Sequence, residues 1–188
     1  MTTRIDTTAC EPHPTAPRDA RDTDRTMPLA TVRTLAAGAH VGDLVFIRVP
    51  AGAPDATAGS AGTWANRFGI VVDTSGDEPL IAEPTVFAWT KLTPLSRFVA
   101  RTDGGRIALA RRVAAASADA QRRIHALAEQ RIDALLGSRF NPQVRRGFCA
   151  QYVTDVLGAG HAATPSAVLR DGTLALEFDG IVFDPPHP

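Results

Sequence analysis

The stretch "RRGFCAQYVTDVLGAGH", Arg145 to His161, holds the arrangement in the chain that best suits covalent chemistry. Cys149 follows a Gly-Phe step, and Tyr152, Val153, Val156 and Leu157 recur three, four, seven and eight residues after it. That spacing puts Cys149 on the apolar face of a helix, in its first turn. A thiol there feels the positive end of the helix macrodipole, which favours thiolate. The shift matters because a free cysteine, with a pKa of about 8.5, is only a few per cent ionised at neutral pH. The same features fit a small core residue, since cysteine is among the most buried residue types. A nucleophile also needs a base within about 3 Å. The histidines are His13, His40, His125, His161 and His187. His13 and His187 lie in the terminal segments, and His125 sits beside an apolar helical stripe as a surface or boundary residue. His40 precedes an apolar run and His161 lies twelve residues beyond Cys149, so either could fold back to the thiol.

These residues sit in a chain of 188 residues, long enough for one domain with a real core plus a tail. Hydrophobic content of 44% is ordinary for a soluble globular protein. Basic and acidic residues balance at 20 each with no basic block, so no nucleic-acid partner is expected. Of the two cysteines, Cys10 lies in a polar segment, which argues against a disulfide framework and for a reducing compartment. No apolar run approaches the roughly 18 residues of a membrane span. The first 26 residues have no apolar core of a secretory signal, and the cytoplasm is the expected location. Their Thr, Pro, Asp and Arg content is that of a disordered tail, placed at residues 1–27. P-loop, GxGxxG, HExxH and paired CxxC patterns are missing, so neither a cofactor nor a metal is expected.

The elements that must position Cys149 follow from periodicity. "GDLVFIRV" (Gly42 to Val49) reads as a buried strand, and "RFGIVVD" (Arg67 to Asp73) as the next. A Gly-, Ala- and Ser-rich loop, long for a passive connection, joins them. "LIAE" and "VFAWTKL" read as two more strands, broken at Pro84. "TPLSRFVAR" suggests a short helix opening at Thr93 with Pro94 in its first position, and "GGRIALARR" a return to the sheet. A long helix over "SADAQRRIHALAEQRIDALLG" is capped by Ser117 and ended by Gly137, with Ile124, Leu127, Ala128, Ile132 and Leu135 in its stripe. An irregular link leads to the Cys149 helix. "TPSAVLRD" is a helical turn, and "TLALEF" and "GIVF" suggest a last pair of short strands. Strands joined by short turns predict an α+β domain with a largely antiparallel sheet, curled toward a barrel, and the Cys149 helix packed on one face.

The order of these segments resembles the permuted papain-like cysteine hydrolases of the YiiX/YaeF type, relatives of the NlpC peptidases. "GDLVFIRV" is similar to the family's first strand, a Gly-Asp step followed by apolar residues and Phe. "NRFGIVV" is similar to its "SHxGIVV" strand, "LIAEPT" to its "viEaT" strand and "LTPLSRF" to its "TPLxxF" helix. "FCAQYV" is similar to the helix that opens "YCSEL". The resemblance spans about Val41 to Leu157 and implies a circularly permuted papain-like, NlpC-like domain over residues 28–188.

The resemblance also implies a site. Cys149 takes the place of the nucleophile, Glu83 that of the polar residue orienting the base, and Arg67 that of the catalytic histidine. An arginine cannot serve as a general base, because its pKa exceeds about 12. Ala150-Gln151 replace the Ser-Glu that follows the family's cysteine, and Phe148 replaces a tyrosine. With Arg67 near the thiol and the helix dipole beneath it, the expectation is an activated thiolate facing both Arg67 and Glu83. The implied activity is hydrolysis of an amide or ester in a peptide, cell-wall fragment or lipid-like substrate. The alternative is a pseudoenzyme that keeps the cleft for binding, with Arg67–Glu83 as a structural salt bridge.

Overall fold

A computed structural model describes residues 29–50, 64–85, 88–138, 142–160, 164–170 and 172–181. Six strands form one antiparallel sheet: β1 (Leu44–Ile47), β2 (Arg67–Asp73), β3 (Leu80–Pro84), β4 (Thr90–Pro94), β5 (Arg106–Arg112) and β6 (Leu174–Ile181). Their order in space is β4-β3-β2-β1-β5-β6. β1 is central, and all four of its residues are buried because both faces of the sheet are covered. That is why it reads as a continuous apolar run instead of an alternating one.

The two coverings differ. Leu44, Phe46, Phe68, Ile70 and Ala82 pack under α3 (Ala118–Gly137) and α5 (Phe148–Asp155), and the link between these two, expected to be irregular, holds a short helix α4 (Pro142–Arg145). Val45, Ile47, Val71 and Ile81 pack under α1 (Leu29–Gly38) and α2 (Leu95–Val99). Direct pairing of Phe46 with Phe68 and of Leu44 with Ile70 fixes which side chains share a face. The expected curl toward a barrel is corrected here. β4 and β6 lie at opposite edges and do not pair, so the sheet is open. Helices bury both faces, and closure is not needed to do so.

Other differences have local causes. α1 is an element the sequence reading does not include, since its Ala- and Thr-rich sequence carries its apolar signal in Leu29, Val32 and Leu35 alone, of which Val32 and Leu35 are buried. β4 runs to Pro94, two residues past the expected strand end, with Leu80 opposite Pro94, and α2 starts at Leu95. Pro94 has φ −54° and ψ 144°, values that suit an edge strand as well as a helix start. Val86 and Phe87, the first residues of the strand expected there, lie outside the described residues. The expected final pair of strands is a single β6, continuous through Asp179 and Gly180. A register shift opposite Leu109 and Ala110 absorbs one extra residue in β6, Glu177. The expected tail at residues 1–27 and residues 51–63 of the loop expected over Pro50–Asn66 lie outside the described residues.

Candidate active site

A glycine turn delivers Cys149 to the sheet. Gly147, with φ 79°, caps α5 in the left-handed region that favours glycine. Its N–H donates to the Ala88 carbonyl at 2.7 Å, and Arg146 bridges Trp89. The start of α5 is thereby pinned to the segment entering β4. Phe148, Cys149, Tyr152 and Val153 then turn inward, as the helical spacing predicts.

The Cys149 thiol is 3% exposed. Its polar neighbours are the Thr90 hydroxyl, 3.7 Å from Sγ, and the Ala82 carbonyl, also at 3.7 Å. Burial pushes the thiol up to about 12, and the negative charge of Glu83 adds to the rise. Thr90 and Arg67 act in the opposite direction and are outweighed. The expected activated thiolate is therefore corrected. Desolvation outweighs the Thr90 hydrogen bond and the nearby guanidinium, so the surroundings favour the protonated thiol.

Arg67 and Glu83 are brought together, but not onto the sulfur. Glu83 is fully buried and every interaction it makes is charge-assisted or short. Oε2 accepts from Arg67 Nη2 at 2.5 Å, from Arg67 Nε at 3.1 Å and from Arg101 Nη2 at 2.6 Å. Oε1 accepts from the Thr93 hydroxyl at 2.5 Å. Arg67 Nη2 also donates to the Pro84 carbonyl at 3.3 Å. Burial alone would push Glu83 up, but Thr93, Arg101 and Arg67 together hold it below its ordinary range.

Alternation along the strands sets the side on which this cluster lies. Glu83 shares a face with Ile81, which packs against α2. Arg67 shares a face with Gly69, where an added Cβ would meet Ile81 and the Phe98 ring of α2. Arg101, the third member, lies over that same ring at 5.2 Å. Ala82 and Phe68, one residue away in each strand, face Cys149 instead. The expectation that Arg67 and Glu83 point at the helix start is thus corrected: they project from the α2 side of the sheet and reach Cys149 only through charge.

The described histidines are elsewhere. His40 Nδ1 lies 3.1 Å from the Gly38 carbonyl and against Arg111, and His125 pairs with Glu129 at 3.2 Å. Neither bonds to Cys149, whereas His13, His161 and His187 lie outside the described residues. Sequence reasoning missed Thr90, Thr93 and Arg101. Lys91 stands directly opposite Glu83 and Thr93 opposite Ile81, so Thr93 is a diagonal neighbour of Glu83 on the same face, a relation that needs the strand register to be seen. Among the described residues, no three His, Cys, Asp or Glu side chains converge to hold a metal ion.

Comparison with known proteins bears on this arrangement. A crystal structure of the metalloprotein yiiX from Escherichia coli O157:H7 aligns with a TM-score of 0.42 and 15% sequence identity, over 76% of this chain and 98% of that one. No curated protein matches. The model of the permuted papain-like amidase enzymes, the YaeF/YiiX or C92 family, matches residues 38–170, a span that holds Arg67, Glu83 and Cys149. The chain belongs to this permuted papain-like amidase family.

Proposed function

We propose that this amidase-family domain is a pseudoenzyme, which keeps the fold of a cysteine hydrolase as a ligand-binding module and does not turn substrate over through Cys149. The observation that carries the reading is the pairing of Arg67 with Glu83 on the α2 side of the sheet. The residue standing where the family has its base is a permanent cation, and it is already committed to a buried carboxylate. Cys149, left with a backbone carbonyl and a hydroxyl, has no group among the described residues that could take its proton. The ligand on this reading is a small-molecule, peptide or lipid-like compound.

Family membership favours a second reading, hydrolysis of an amide or ester bond. Cys149 would then attack the carbonyl, with the N–H groups of the first turn of α5, which lack intrahelical acceptors, as oxyanion donors. Glu83 and Arg67 would act on the thiol through charge, and the base would come from a histidine outside the described residues.

A thiol-directed activity probe at neutral pH separates the two. On the first reading the folded protein is labelled no faster than its Cys149→Ser variant, and Arg67→His does not create turnover of amide or ester substrates. The strand would hold the new imidazole beside Glu83, away from the sulfur. Labelling that depends on Cys149, or turnover in Arg67→His above the Cys149→Ser background, supports hydrolysis and defeats the pseudoenzyme.

A further inference from the structure

A cleft of about 270 Å³ opens at the other end of α5, between the start of β1, the end of β5 and α3. Its charges do not balance: two arginines and one aspartate line it. Arg111 is neutralised, since Asp43 accepts from it at 2.9 and 2.8 Å and Glu177 lies 3.6 Å away. Arg112 makes no ion pair among the described residues. Its guanidinium is held by the Gln121 side-chain oxygen, which also accepts from the Ala115 N–H at 2.9 Å. A neutral partner fixes its direction and leaves its charge uncompensated.

Beside it stands the Tyr152 hydroxyl, on a residue that is 1% exposed. It donates to the Gly42 carbonyl at 3.5 Å, a long contact for a phenol. A Cβ on Gly42 would lie 2.9 Å from the hydroxyl oxygen, so the glycine makes room for the phenol tip. Burial and the Asp43 charge push that hydroxyl up to about 12, and the charge of Arg112 acts in the opposite direction. Ile124, Ala128 and Val156 supply apolar walls, and His40 and His125 line the cleft as well. Concave apolar walls with a few convergent polar groups make a small-molecule site.

We propose that this cleft binds a small organic anion, a carboxylate or phosphate monoester carrying a short apolar group. Arg112 and the Tyr152 hydroxyl take the anion, and Ile124, Ala128 and Val156 take the apolar part. The assignment goes beyond the reading of Cys149 and stands whether or not that thiol turns over.

Calorimetric titration of the full chain with phenyl phosphate, hexanoate and hexan-1-ol tests it. At least one of the two anions should bind saturably, and at least about tenfold more tightly than the alcohol. Which anion binds tells phosphate from carboxylate recognition. Arg112→Gln should weaken that anion by at least about tenfold, in line with loss of a charge-assisted contact. Ala128→Phe, which fills the cleft without changing its charge, should abolish binding and serves if Arg112→Gln does not fold. Absence of saturable binding by both anions, equal affinity for the alcohol, or anion binding unaffected by Ala128→Phe would overturn the proposal.

Discussion

At the scale of single residues, the buried carboxylate Glu83 governs more than the thiol does. It compensates two guanidinium groups, one of which, on Arg67, is 3% exposed. Replacing it by glutamine leaves that cation without a counter-charge, and loss of one partner of a buried pair typically costs about 3–5 kcal/mol. Glu83→Gln should lower stability in denaturant melts by about 3 kcal/mol at pH 7, with Arg101, a third exposed, contributing the smaller share. The sign of the pH dependence follows from the lowered folded-state value. Stability from Glu83 is fully present above its ordinary value of 4.5 and is lost as pH falls through the lower folded value. The gap between wild type and Glu83→Gln should therefore shrink on acidification below pH 4.5; a constant gap would mean that the ion cluster contributes little. The pairing of Arg67 with Glu83 was legible in the sequence as one of the alternatives. Their orientation was not, because aligning a position with a motif says nothing about which face of the strand its side chain takes.

At the scale of elements, the strands with continuous apolar runs were legible, and β2 has the bounds its sequence implies. The ends of elements were harder. Pro94 fits both a strand end and a helix start, and α1 has few large side chains with which to announce itself. The face assignment rests on one close approach that only the folded chain reveals. An added Cβ at Gly69 would fall 2.3 Å from Ile81 Cγ2 and 3.2 Å from the Phe98 ring. The Ile81 and Phe98 side chains would have to give way to admit it, and overpacking of this kind typically costs about 1–3 kcal/mol. Gly69→Ala should lower the thermal midpoint accordingly. Because Arg67 and Glu83 share this face, the variant should also loosen their pairing, visible as earlier acid unfolding than in wild type. An unchanged midpoint would place Gly69, and with it Arg67, on the other side of the sheet.

For the molecule as a whole, stability comes from one sheet covered on both sides by helices, and the described core draws on residues from Val32 to Val168. Residues 1–26 offer hardly any large apolar side chains to add to it. Their deletion should leave the unfolding midpoint within experimental error, and a clear loss would mean that this segment docks on the domain. The family fold holds a cysteine at a helix start, and in this chain the surroundings of that cysteine keep its proton on. At pH 7 about 3% of a free thiol is ionised, and burial should hold the ionised share of Cys149 below that. The most direct test is the pH profile of Cys149 alkylation by iodoacetamide in the folded protein, followed by mass spectrometry in a Cys10→Ser background so that one thiol is counted. The account predicts alkylation far slower than that of a free cysteine, rising about tenfold per pH unit through pH 9 without a plateau. Rapid alkylation that levels off below pH 7 would reveal an activated thiolate and contradict it.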